Sequence, residues 1–218
     1  MMMAVLALRS RVDRCIWAVA AVASTALALV SYRYLTGKGP IPPNIAANRY
    51  FDPWIAVHAA GAATALLLGP WQFLPGVRTR WPWVHRYIGR LYTLGCASGG
   101  LAALVLVAGQ TSGLAAGAGF TALSLAWLTS TGLAVREVLA GRVVAHRRWM
   151  IRSFALTLSA ITLRIYVPLA DVFDVDFLTA YRTIAWACWV PNVLLAEIYL
   201  LRRPISSAVA HPVTIPGE

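Results

Sequence analysis

The sequence predicts an all-α fold, a polytopic bundle of about six transmembrane helices with both termini in the cytoplasm. Three observations predict it. Hydrophobic residues make up 59% of the chain and charged residues only 12%, with a mean hydropathy of +0.67, which is too apolar for an ordinary water-soluble domain. Six apolar runs are long enough to cross a bilayer, whose core takes about 20 residues of helix because every backbone amide must find its partner inside the segment. The basic residues lie in short segments between these runs rather than on one soluble face, so the formal net charge of +11 points to a lipid surface and away from nucleic acid.

The runs are read at residues 15–35, 53–73, 87–109, 113–135, 149–169 and 181–201. The first follows Arg9, Arg11 and Arg14. That start also matches the basic region of a signal peptide, with Ala26-Leu27-Ala28 as its cleavage site. A retained helix is expected instead, because the run is long enough to span and no soluble domain follows it. Gly37-Lys38-Gly39-Pro40, with Pro42 and Pro43, breaks the chain before the second run. Pro70, Pro75 and Pro82 separate the second from the third, and Gln110-Thr111-Ser112-Gly113 forms a tight turn before the fourth. Gly95 with Gly99, and Gly113 with Gly117, have the spacing that lets helices approach closely, which predicts contact between the third and fourth. Pro191 beside Asn192 predicts a kink in the sixth. The expected division is a basic segment at 1–14, a six-helix domain at 15–203 and a flexible tail at 204–218.

Orientation follows from lysine and arginine, since positively charged loops stay cytoplasmic. With six helices counted, Arg9, Arg11 and Arg14 fall on one side with Arg78, Arg80, Arg86 and Arg90, with Arg136, Arg142, Arg147, Arg148 and Arg152, and with Arg202 and Arg203. The other side keeps Arg33, Lys38, Arg49, Arg164 and Arg182, together with Asp52, Asp171, Asp174 and Asp176. A multi-pass protein of the inner (plasma) membrane is expected. Trp54, Trp71, Trp81, Trp83 and Trp149 fall near helix ends, where an amphipathic ring prefers the headgroup layer. Cys15, Cys96 and Cys188 are odd in number and far apart, so they read as small buried hydrophobes rather than a disulfide framework or metal site.

No nucleophile elbow, phosphate loop, HExxH pair or cysteine cluster occurs. Histidines remain. His85 and His146 open the third and fifth helices at the same cytoplasmic depth, each followed by arginine. Two neutral imidazoles so placed can serve as axial ligands to one haem b iron, with Arg86 and Arg147 near its propionates. The plainer reading makes the histidines interfacial polar residues and the arginines a consequence of orientation. His58 lies about five residues into the second helix from the outer side, roughly 8 Å at about 1.5 Å per residue, and cannot share a metal with that pair. The fourth helix offers no outer histidine to match it, so His58 reads first as a hydrogen-bonded packing residue. Arg164 must snorkel outward or pair with an acid, for which Asp171 is a candidate, and Glu197 is placed to meet Arg90 or Arg152. Asp171, Asp174 and Asp176 read as a solvated turn, and His211 as a solvated tail residue. The inner arginines, Arg148 among them, also suit anionic lipid headgroups.

His58-Ala59-Ala60-Gly61, Gly69-Pro70-Trp71-Gln72-Phe73, the segment from His85 through Arg86 and Gly89 to Arg90, the segment His146-Arg147-Arg148-Trp149-Met150-Ile151-Arg152-Ser153, and Leu163-Arg164 together resemble the bacterial membrane family called domain of unknown function 2306. The resemblance runs from about the second helix to the sixth, and it implies no established activity. A looser similarity to membrane b-type cytochromes and ferric-reductase-like bundles rests on the helical histidines alone. Three functional readings stay open. One is a haem-binding or redox-associated protein using His85 and His146. Another is a small-molecule or anionic-lipid-binding protein, a transporter or accessory subunit, using the inner arginines and the His58 and Arg164 region. The third is a purely structural or assembly protein.

Overall fold

The computed structural model describes residues 11–37 and 41–202. Arg9, Lys38, Arg203 and His211, and the tail from residue 204, lie outside the described residues. In chain order the α-helices are α1 (Arg11–Ser31), α2 (Pro43–Ala46), α3 (Trp54–Leu68), α4 (Pro75–Arg80), α5 (Pro82–Ala108), α6 (Leu114–Leu139), α7 (Val143–Thr157), α8 (Ser159–Val172), α9 (Phe177–Ala187) and α10 (Val190–Arg202). Short 3-10 turns extend α1 through Tyr32–Leu35 and follow α3 at Pro70–Phe73. These elements make six helices long and apolar enough to span: Asp13–Leu35, Trp54–Phe73, Pro82–Ala108, Leu114–Leu139, Val143–Val172 and Phe177–Arg202. The third and fifth begin at Pro82 and Val143, earlier than the apolar runs at 87 and 149. Their first turns carry His and Arg that hydropathy alone assigns to loop, while Pro82 suits a first helical turn because its missing N–H is not needed there.

Residues are distributed as lipid demands. Large apolar side chains such as Val22, Leu29, Leu94, Leu101, Leu194 and Leu195 are exposed, whereas Ala28, Ala65, Cys96, Ala134 and Cys188 are fully buried. Small residues let helix backbones approach where no hydrophobic force drives them together. The tightest seam joins α3 to α5. A Cβ placed on Gly61 would fall 2.6 Å from the Gly95 carbonyl oxygen and 2.6 Å from the Gly99 nitrogen. The Gly95 and Gly99 pair therefore faces the second span, which corrects the expectation that it contacts the fourth. Helices α5 and α6 meet instead where Leu128 packs over Gly100, while Gly113 stands at φ +96 ahead of α6 and Gly117 lies against the Gln110 side chain. Spacing identifies a face that admits close approach but not the neighbour that uses it.

Spans five and six are each interrupted, between Thr157 and Ser159 and between Ala187 and Val190. Asn192 ties the two breaks together: its Nδ2 donates to the Ala155 carbonyl (3.3 Å), the Cys188 carbonyl (3.1 Å) and Thr162 Oγ1 (3.1 Å). An unbroken helix would give the Ala155 carbonyl to the N–H of Ser159, and Pro191 has no N–H for the Ala187 carbonyl.

Connections one, three and five gather at one end of the bundle. There the Arg49 N–H donates to Gly109 O (3.0 Å), Asn48 Nδ2 donates to Leu106 O (2.7 Å), and Arg182 Nε donates to Ser112 O (3.0 Å). The opposite end holds α4, the starts of α5 and α7, and the Trp17 Nε1 bond to Pro70 O (3.0 Å). That end carries most of the described arginines. The three cysteines are free; Cys96 and Cys188 are buried as expected, but Cys15 is exposed, two residues past the start of the first span.

Candidate functional site

His85 and His146 occupy equivalent places, fourth in α5 and fourth in α7. Their backbone N–H groups open the helical ladders by bonding Trp81 O (3.1 Å) and Arg142 O (3.0 Å). The fold brings them together, since His85 lies within electrostatic reach of His146, Arg78 and Arg86. His146 Nδ1 donates to the Ala134 carbonyl (2.8 Å). A carbonyl only accepts, so Nδ1 carries the proton and Nε2 is left to meet another group. His85 differs, for its Nδ1 is buried and has no hydrogen-bond partner.

Around this pair stand cations. Arg78, from α4, and Arg147, beside His146, are both half-buried and lie within electrostatic reach of each other. Arg86, Arg90 and Arg148 are exposed. Two carboxylates at this end, Glu137 and Glu197, are engaged elsewhere. Glu137 bonds Arg136 (2.8 Å) and Arg142 (2.5 Å), and Glu197 takes Arg152 in a two-pronged pair, Nε to Oε1 at 2.5 Å and Nη2 to Oε2 at 2.9 Å. Of the two arginines offered to Glu197 by the sequence, Arg152 is thus its partner, with its guanidinium also 4.6 Å from the centre of the Trp149 ring. Among the described residues, neither Arg78 nor Arg147 pairs with a carboxylate.

His58 belongs to the α3–α5 seam, where Nδ1 donates to the Gly99 carbonyl at 2.9 Å. It is remote from the His85 and His146 pair along α3. Arg164 does not pair with Asp171. Its Nη1 donates to Ala160 O (3.2 Å) within its own helix, and Arg33, Tyr34 and Tyr181 lie within electrostatic reach. The reason is distance: the two residues lie on one face of α8 but about two turns, roughly 10 Å, apart, and the guanidinium reaches back to Ala160 rather than forward to Asp171.

Sequence reasoning did not pick out two features. In the sequence Arg78 counts only toward orientation, although the fold makes it the half-buried cation closest in chain to α5. A hydroxyl network also fills the centre of the bundle. Tyr92 Oη bonds Ser153 Oγ (2.8 Å) and Thr157 Oγ1 (2.9 Å), Trp127 Nε1 donates to Thr157 Oγ1 (2.9 Å), and Thr131 Oγ1 bonds Ser153 Oγ (2.7 Å). The visible signal was a tyrosine, serine and threonines inside apolar helices, which in lipid must find one another. Among the described residues no group of three or more His, Cys, Asp or Glu is gathered to hold a metal ion.

No curated protein and no solved structure matches this chain. A family model does, over residues 55–200, from the start of α3 to the last turns of α10 and including every histidine and arginine of the site just described. On that match the chain belongs to the family described as predicted membrane protein (DUF2306).

Proposed function

We propose that this integral membrane protein binds the phosphate of an anionic lipid headgroup at its arginine-rich end, between Arg78, His85, His146 and Arg147. The supporting observation is charge without countercharge: two half-buried guanidinium groups and two imidazoles from α4, α5 and α7 are linked electrostatically, Arg78 with His85 and Arg147 and His85 with His146, and neither arginine pairs with a carboxylate among the described residues. Like charges held together in partly dehydrated surroundings repel, and an anion relieves that repulsion. The N-terminal ends of α5 and α7 add positive partial charge of the helix dipole. Arg86, Arg90 and Arg148 form the exposed rim. By the positive-inside rule this end faces the cytoplasm, with both termini on that side of the plasma membrane. The experiment is to count lipids retained by the purified protein from nanodiscs of phosphatidylglycerol or phosphatidylcholine. Phosphatidylglycerol is expected to be retained preferentially, with about a tenfold loss in an Arg78→Gln, Arg147→Gln double variant. Equal retention of both lipids, or no change in the variant, sinks the reading.

A second reading has one observation in its favour. Metal-bound imidazoles donate their other ring N–H to a carbonyl or carboxylate, as His146 does to Ala134. Haem b ligated by His85 and His146 would supply electron transfer, with Arg86 and Arg147 holding its propionates. The fit is half complete, since His85 lacks the corresponding bond. Expression with haem supplied tests it. A Soret band lost in His85→Ala, His146→Ala supports it, and a colourless protein removes it.

A further inference from the structure

The turn after α3, Gly69-Pro70-Trp71-Gln72-Phe73, is clamped on three sides. Trp17 donates to Pro70 O and its ring meets Trp71 edge-on at 5.8 Å, both from α1. Phe154 of α7 lies against Phe73 at 5.1 Å and against Gly69, where an added Cβ would fall 2.5 Å from the ring. On the third side Gly89 of α5 leaves room for the Gln72 side chain, whose Oε1 is 3.4 Å from where a Gly89 Cβ would stand. Gln72 is therefore held inward by a rigid turn, with 8% of its surface exposed. Its Nε2 is buried and meets no hydrogen-bond partner among the described residues, and the same is true of His85 Nδ1. Residues 85 and 89 are one helical turn apart, so His85 and the Gln72 side chain that lies against Gly89 border the same stripe of α5.

An amide nitrogen only donates, and so does guanidinium. The partner that Gln72 lacks is a hydrogen-bond acceptor, which Arg78, Arg86 and Arg147 cannot supply. Buried polar groups are normally satisfied, and an orphan marks a place where water or a ligand belongs. Resting on the anion site proposed above, we infer that Gln72 is its floor: Nε2 donates to one oxygen of a phosphoryl group whose other oxygens meet Arg78 and Arg147. The site then selects a tetrahedral oxyanion with several acceptors over a monatomic anion such as chloride, because only the former reaches the floor and the rim together.

The test is titration calorimetry on the full-length protein in uncharged detergent, with inorganic phosphate, short-chain phosphatidylglycerol and chloride as probes. Phosphate or phosphatidylglycerol is expected to bind and chloride is not; the tighter of the first two identifies whether the phosphoryl group arrives free or on a lipid. Gln72→Leu is expected to weaken that binding about tenfold, as loss of a hydrogen bond to a charged group does. It is also expected to leave the ligand-free melting temperature unchanged or raised, since it removes an unsatisfied group. Gln72→Glu, which sets a carboxylate against the anion, is expected to abolish binding in a folded protein. Wild-type affinity in Gln72→Leu overturns the inference and assigns Nε2 to a water, while loss of binding in Arg78→Gln, Arg147→Gln still upholds the anion site. A lowered ligand-free melting temperature in Gln72→Leu also overturns it. Absence of binding by the wild type removes both.

Discussion

Gly61 has no space for a side chain. An added methyl group there meets backbone atoms of Gly95 and Gly99, which cannot rotate away, so Gly61→Val is expected to cost about 1–3 kcal/mol, the usual penalty of overpacking. Thermal unfolding in detergent measures it. Gly132→Ala is the control, because a Cβ there meets nothing within 4 Å, and its melting temperature is expected to match the parent. The glycines of this seam were legible in the sequence as a close-approach motif, but their partner was not. Gly61 supplies the missing half, and nothing in its local sequence distinguishes it from the alanines around it. The same limit applied to the site. His85, His146 and their arginines stood out by residue type and position, whereas Gln72 is one amide in an apolar turn. Its importance lies in an unfilled donor, which exists only after α1, α5 and α7 have closed around it.

Helices were legible where lipid dictates them and less so where a side chain does. The six spans follow from hydropathy, and the break before Val190 from Pro191. The break after Thr157 has no proline to announce it. Asn192 accounts for it by taking the Ala155 carbonyl, and Asn192→Leu is therefore expected to leave acceptors of both broken spans unpaired at a cost of about 1–2 kcal/mol, read from unfolding in detergent. Helix α9 begins differently, with Asp176 accepting from the Thr179 N–H and hydroxyl, both at 2.9 Å. The backbone bond from Thr179 holds the Asp176 carboxyl below the usual carboxylate range. A depressed folded value means the cap contributes at neutral pH and is lost as pH falls through that value, below the unfolded pKa of about 3.9. Amide exchange at Thr179 and Ala180 is expected to accelerate over that acidic window. In Asp176→Asn, which keeps a capping oxygen but no titrating group, the acceleration disappears.

At the scale of the molecule, the alternation of connections explains why so much was readable. Composition alone reports the solvent, and a chain crossing lipid six times must place its odd loops together and its even loops together, as the Arg49–Gly109 and Arg182–Ser112 bonds show. Which helix touches which is not constrained by solvent, and there the reading failed at the glycine seam. The arginine-rich end was visible as a charge bias; its separation into paired residues, Arg136, Arg142 and Arg152, and Arg78 and Arg147, which meet no carboxylate among the described residues, required the fold. Of the three thiols, one faces outward and two are sealed inside. The native chain thus carries its own attachment point for a nitroxide at Cys15, two residues before the tryptophan that anchors α1 to the second span's end. In sealed vesicles a membrane-impermeant paramagnetic chelate should broaden that nitroxide's spectrum from one compartment only. The compartment that succeeds reports the sidedness of the whole bundle with no residue exchanged.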